Sequence, residues 1–361
     1  MKNEKWRGMI VIADDITGAA EIAGIAFNTG QQVRLLCADG AVCCDMVATN
    51  RTTVIATDTR SMTEAEAVAE TRRIASSFLT SHSSFLIYKK TDSALRGHVV
   101  AELTTLMQAT GYQRAVYLPA NPSKGRTIRN GIYYIKGVPI AKTDFSFDPE
   151  FPARTSSLPE RFPEAEARGI VMPDAESEED IRRIVAQYDD GQTLFAGAAD
   201  LFTCLVGSGT LSSPPTAPSP SGSALILCGS TQSKPLELGI DIAPMPQEIY
   251  DGADDLSLWN VNAYQEKGSL ILTIPHTHRT GKAVAVHLRH TMAEMARRLV
   301  ATHRPEQLII EGGATAWATL QALGWTSFEM VRQLAPGVVQ MQADCGTLVT
   351  LKPGSYPWGN L

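Results

Sequence analysis

Short apolar runs recur along the chain, each followed by a polar turn and then by a stretch with helical spacing. Met9–Ile12, Val33–Leu36, Val54–Ala56, Phe85–Tyr88, Ala115–Leu118, Gly169–Met172 and Thr193–Phe195 read as strands. Between them, Ala19–Thr29 carries Ile22, Ile25 and Ala26 on one face, and Thr63–Thr80 does the same with Val68, Thr71, Ala75, Phe78 and Leu79. Val99–Thr110 presents Val99, Leu103, Leu106, Met107 and Thr110, the stripe of a core-facing helix. Ser177 and Asp180 form a capping box ahead of Ile181, Ile184, Val185 and Tyr188. The paired tyrosines and Gly-Val-Pro of 133–139 suggest a small hairpin. The Pro-rich stretch Asp144–Leu158 reads as a lid, or as an arm across a second copy in a homodimer.

The same alternation resumes later. Ala224–Leu227, Leu270–Ile274, Leu308–Ile310 and Thr347–Leu351 read as strands, and Ala283–Thr302 as a helix with Leu288, Met292, Met295 and Leu299 in register. Between the halves, Gly207–Ser223 is dense in Pro, Gly and Ser and has no apolar period, so it reads as a linker. The expected architecture is two α/β domains with mainly parallel sheets, 1–206 and 224–361, joined by 207–223, with the active site in the cleft between them.

Composition narrows the function. The 361 residues are 44% hydrophobic with a net charge of −6, which suits a globular protein and argues against a general nucleic-acid binder. No apolar run approaches the ~18 residues of a membrane span, and the N-terminal stretch lacks the apolar segment of a signal peptide. A cytoplasmic location is expected. None of the six cysteines forms a CxxC pair, so they read as reduced thiols, and the spacings of Cys and His make no metal site.

Chemistry concentrates at strand ends. KKTDSALRG, Lys89–Gly97, lies between a strand and a helix and holds far more charge than a turn needs. Asp14, Asp15, Asp58, Arg60 and Arg126 also fall at such turns. This set suits a small anionic, hydroxylated ligand, because arginine grips carboxylates bidentately and carboxylates accept hydrogen bonds from sugar hydroxyls. In the second half the turns carry glycine instead: Gly229-Ser230, Gly312-Gly313-Ala314-Thr315 and Gly354-Ser355. Exposed backbone N–H groups at a helix N-terminus cradle phosphate. No GxxxxGK[ST] loop and no GxSxG elbow is present.

ADDITGA, KKTDSALRG, NPSKGRTIRNGIYYIKGVPI and VMPDAESEEDI in the first half, with CGS, EGGAT, LAPGV and KPGSYPWG in the second, resemble the signatures of the four-carbon acid sugar kinases, which act on D-threonate, D-erythronate and 3-oxo-tetronates. The resemblance covers nearly the whole chain. It implies ATP-dependent phosphorylation of the terminal hydroxyl of a four-carbon acid, with Mg2+ bridging the ATP phosphates. It implies that Asp14, Arg60, Lys89, Lys90, Ser93, Gly97, Arg126 and Thr127 bind the sugar acid. Asp15 would orient or deprotonate the attacking hydroxyl, with Asp92 as runner-up, and Arg60, Lys89, Arg96 and Arg126 are candidates for meeting the substrate carboxylate or the migrating phosphoryl group, Arg96 foremost. Gly229, Ser230, Gly312, Gly313, Ala314, Thr315 and Gly354 would hold the nucleotide. Ala314 stands where the family usually has an acid, which keeps a catalytically silent sugar-acid sensor as the alternative. A lyase or aldolase using Lys89 or Lys90 as a Schiff base is a third reading.

Overall fold

The computed structural model describes residues 8–38, 51–78, 85–148, 150–207, 222–229, 238–262, 264, 268–275 and 281–354. Ser230, Ser355, most of the expected linker, Cys43, Cys44, His276 and His278 lie outside them. The chain divides into two compact units, Met1–Leu211 and Ser212–Leu361. Each is α/β with a largely parallel sheet.

The strands of the first unit are β1 (Gly8–Ala13), β2 (Val33–Cys37), β3 (Thr52–Ala56), β4 (Phe85–Lys90), β5 (Arg114–Leu118), β6 (Arg126–Arg129), β7 (Ile132–Ile135), β8 (Val138–Pro139), β9 (Ile170–Val171) and β10 (Thr193–Gly197). The main sheet runs β2-β3-β1-β4-β10-β5-β9, with every pairing parallel. Parallel strands covered on both faces read as unbroken apolar runs, and Ile10 to Ala13 are wholly buried. Ala13 pairs with Ala56 on one side and Lys90 on the other, Lys90 with Gly197, and Gly197 with Leu118. These strands therefore end on one line, and the residues that follow them share one edge. The remaining strands form a separate antiparallel sheet, β6-β7-β8, between β5 and β9 in the chain.

Helices α1 (Ile16–Asn28), α2 (Glu64–Phe78), α3 (Val99–Thr110), α4 (Leu158–Arg161), α5 (Glu178–Tyr188) and α6 (Ala199–Val206) belong to this unit. The α1 helix starts one turn earlier than its apolar spacing suggests. Asp15 is the N-cap, its carboxylate accepting from Gly18 N at 2.9 Å. Asp, Thr and Gly are weak inside helices but favourable at their starts, so Asp15, Thr17 and Gly18 around Ile16 read as a turn. Ser177 and Asp180 do form the expected capping box of α5.

The second unit holds β11 (Ala224–Cys228), β12 (Ile242–Pro244), β13 (Leu270–Thr273), β14 (Gln307–Glu311), β15 (Ser327–Ala335), β16 (Val338–Ala343) and β17 (Leu348–Lys352), with α7 (Gln247–Tyr250), α8 (Lys282–His303) and α9 (Gly313–Leu323). Its strands are ordered β12-β13-β11-β14-β17-β16-β15, parallel from β12 to β17 and antiparallel thereafter. The β15–β16 hairpin was not anticipated. Charged and polar residues interrupt Ser327–Ala335, and its turn at Pro336-Gly337 reads only as a loop. Cys37, Cys204, Cys228 and Cys345 are free thiols. No helix among the described residues is long and apolar enough to cross a membrane.

Candidate active site

Asp14 and Asp15 directly follow β1, and Arg60 lies in the short 3-10 turn Thr59–Ser61 after β3. The Arg60 fork closes on Asp14, with Nη2 donating to Oδ1 at 2.8 Å and Nε to Oδ2 at 3.1 Å. Nη2 also donates to Asp15 Oδ1 at 3.0 Å and lies 3.8 Å from Asp92 Oδ1. Asp92 in turn accepts from Arg96 Nε at 2.8 Å, Arg96 Nη2 at 3.1 Å and the backbone N of Ala94 at 3.0 Å. Hydrogen bonds and the Arg60–Asp92 ion pair thus join the ends of β1, β3 and β4 in one charged cluster. Gly97 lies beside Asp14 Oδ2 at φ 93°, a backbone conformation that side-chain-bearing residues rarely adopt.

The carboxylates differ electrostatically. Burial pushes Asp14 above the usual carboxylate range despite the Arg60 guanidinium. Burial acts in the same direction on Asp15, but Arg60 and Lys90 outweigh it and hold that carboxyl low. Asp92 is also buried, yet Arg60 and Arg96 hold it far below the ordinary value. Neighbouring acids with oppositely shifted affinities are a frequent mark of functional sites.

Lys89 and Lys90 are consecutive in β4, so their side chains leave opposite faces of the sheet. Lys89 meets the carboxylate of Glu102 on α3, and both are almost wholly buried. Glu102 also accepts from Thr59 Oγ1 at 3.1 Å, and Thr59 Oγ1 lies 2.9 Å from Thr57 Oγ1. This buried network sets the turn that carries Arg60. Lys90 Nζ donates to the carbonyl of Thr91 at 2.9 Å and lies 3.7 Å from Glu21 Oε2. Lys124 reaches the same Glu21.

The loop after β5 is pinned to α6. Asp200 accepts from Ser123 N at 2.8 Å, and Asp200 N donates to Asn121 Oδ1 at 3.0 Å. Arg126 therefore stands beside Ser93, to whose hydroxyl it donates through Nη1, while the Tyr133 hydroxyl donates to the Ser93 carbonyl. Thr127 is in β6 opposite Tyr134, within the small sheet. The segment expected to be a lid touches this region at several points. Phe145 stacks on Arg126, Asp148 lies 3.5 Å from Arg96 Nη1, and the Phe151 and Pro152 carbonyls accept from Arg161. Arg161 also donates to the carbonyl of Leu95 through Nη2 at 2.9 Å, bracing a non-glycine residue at φ 64°. Sequence reasoning missed Glu21, Glu102, Tyr133 and Arg161. Glu102 left a signal, as an acid on the apolar face of α3; Arg161 left none.

In the second unit, Gly229 follows β11 and Gly312 follows β14 as the N-cap of α9. Gly229 N donates to the Glu311 carbonyl at 3.2 Å, and Gly312 N to that of Lys352 at 2.9 Å. A Cβ on Gly229 would lie 2.0 Å from Thr315 Oγ1, so only glycine fits there. Gly312, at φ 96°, is likewise restricted. Gly313 opens α9, Ala314 is exposed in its first turn, and Gly354 follows β17. Beneath these turns the carboxylate of Glu311 meets the ammonium of Lys352, both buried. Lys352 Nζ also donates to the Pro353 carbonyl at 3.2 Å. Beside the pair, Cys228 is in register with Glu311 on the next strand, and burial pushes its thiol up to about 12.

Two family descriptions match separate parts of the chain: a sugar-binding N-terminal domain over residues 9–167 and a nucleotide-binding C-terminal domain over 260–356. The chain belongs to the four-carbon acid sugar kinase family. It is 26% identical to a 3-oxo-tetronate kinase of Brucella melitensis, over 96% of this chain and 92% of that one. It is 26% identical to a D-threonate kinase of Bordetella bronchiseptica, over 91% and 88%. A match to a D-threonate kinase of Salmonella typhimurium, at 28% identity, spans 55% of this chain and about half of that protein, 53%. A crystal structure of a Haemophilus influenzae protein superposes with a TM-score of 0.71 at 21% identity, covering 98% of each chain. At that identity the likeness speaks for the fold alone.

Proposed function

We propose that the protein transfers the γ-phosphoryl group of ATP to the terminal hydroxyl of a four-carbon sugar acid, the acid bound by the first unit and ATP by the second. The observation that carries this reading is the joined cluster of Asp14, Asp15, Arg60, Asp92 and Arg96 on one sheet edge of a unit that matches a sugar-binding domain. The names of the relatives support the reaction class. The turn at Gly312 supports phosphate binding, because it opens α9, whose first backbone N–H groups lie at a helix N-terminus.

Phosphoryl transfer depends mainly on positioning and charge neutralisation, so a strong base is not required. Asp15, held ionised by Arg60 and Lys90, suits a residue that orients a hydroxyl by accepting its hydrogen bond. Arg60 and Arg96 offset the buried carboxylates and keep them from repelling an anion. Among the described residues no group of three or more His, Cys, Asp or Glu is arranged to hold a metal ion. Magnesium ordinarily needs only one or two carboxylates plus substrate phosphates, so it fits as an ion carried by ATP, where it neutralises phosphate charge. The Schiff-base reading loses support, because both lysines are buried and tied to acids.

A coupled ADP-release assay over D-threonate, D-erythronate and 3-oxo-tetronates tests the reading. ADP release that requires one of these acids is expected. ATP and acid each binding by calorimetry, with no acid-dependent ADP release, would instead identify a silent sensor.

A further inference from the structure

We infer that Arg126 is the anchor for the substrate carboxylate and so fixes which end of the acid enters first. This deepens the kinase reading and rests on it. The other cations at this edge already hold partners. Arg60 is closed on Asp14 and Asp15, and the fork of Arg96 on Asp92. Lys89 is tied to Glu102, and Lys90 and Lys124 to Glu21. Arg161 has no carboxylate partner among the described residues, but its donors go to the carbonyls of Leu95, Phe151 and Pro152.

Arg126 is different. Its partners among the described residues are neutral: the Ser93 hydroxyl, the Tyr133 hydroxyl and the Phe145 ring. A guanidinium has five N–H donors, and here a half-buried one keeps most of them without an anion. Ser93 and the Phe145 ring hold the fork in place without neutralising it, which is the preorganisation that bidentate carboxylate recognition asks for. From Arg126 the connected groups run through Ser93 and Asp92 to Arg60 and Asp15. A sugar acid anchored at Arg126 would lay its hydroxyls along that line, with the far hydroxyl toward Asp15.

The test compares D-threonate with its neutral amide, which keeps every hydroxyl and loses the charge. Wild type, Arg126→Lys and Arg126→Met are measured for kcat and KM toward each acceptor and toward ATP, beside melting temperature. Wild type should prefer the acid. Arg126→Met should raise the acid KM on the order of a hundredfold, leave the KM for ATP unchanged and abolish the preference over the amide. Arg126→Lys keeps the charge without the fork and should fall between them. An Arg126→Met enzyme that still prefers the acid overturns the anchor, as does one whose loss is equal for acid and amide. If wild type turns over none of D-threonate, D-erythronate and the 3-oxo-tetronates, the kinase reading fails separately. Calorimetric binding of D-threonate to wild type but not to Arg126→Met then upholds the anchor, and equal binding or none by wild type overturns it.

Discussion

The two units build the same kind of edge and furnish it in opposite ways. In the first, strand ends in register carry ionisable side chains that hold one another, with Arg60 between Asp14, Asp15 and Asp92. In the second, the equivalent ends carry Gly229, Gly312 and Gly354, and the charges are withdrawn beneath them into the Glu311–Lys352 pair. Side chains discriminate among hydroxyls and carboxylates by position and charge. Backbone N–H groups suit a phosphate chain, whose oxygens are many and alike. One edge is therefore vulnerable to deletion of side chains and the other to their addition.

The largest effect should come from breaking the shared cation. Arg60→Met leaves buried Asp14 without its hydrogen-bonded cation and half-buried Asp15 with Lys90 alone, a loss of about 3–5 kcal/mol by analogy with broken buried pairs. Chemical denaturation should show that loss, and acid-dependent turnover should vanish even where the chain stays folded. A variant of wild-type stability would mean that the cluster is looser than its hydrogen bonds indicate.

The matching addition in the second unit is Gly229→Ala. Its Cβ would collide with Thr315, pushing on the first turn of α9. We expect ATP affinity to fall by about a hundredfold (~2.7 kcal/mol) while D-threonate binding by calorimetry is retained. Gly313→Ala, inside the helix, should be far milder. Equal effects of the two substitutions would contradict the assignment of the close contact to Gly229.

A smaller effect comes from pH. Asp15 and Asp92 have folded-state values below the ordinary 3.8, so they stabilise the first unit above that pH. As pH falls below about 4 the unfolded chain takes up protons that the folded cluster refuses, and stability declines. Asp14, shifted upward, opposes this in part. Asp92→Asn should flatten the acid limb of a melting-temperature profile; an unchanged slope would show that other acids govern it.

Much of this organisation was legible in the chain. Apolar runs located β1, β4, β11 and β14, and the charge of KKTDSALRG marked the end of β4 as a site. What pattern could not reveal was pairing. Lys89 and Lys90 look equivalent in sequence, yet adjacent strand positions face opposite ways, and Lys89 is tied to Glu102 in α3. Arg96 looked like the best anion fork, but the carboxylate four residues earlier closes on it. The hairpin of β15 and β16 was hidden because its residues do not alternate cleanly.

The most direct test is to look for the product. The purified protein is incubated with ATP, magnesium and D-threonate, D-erythronate or a 3-oxo-tetronate, and phosphorus-31 NMR follows the phosphate esters. A new phosphomonoester resonance, formed with one of the acids and ATP and lost in Arg60→Met, is the predicted result. ATP that stays intact in the presence of every acid, although both ligands bind, would contradict the account.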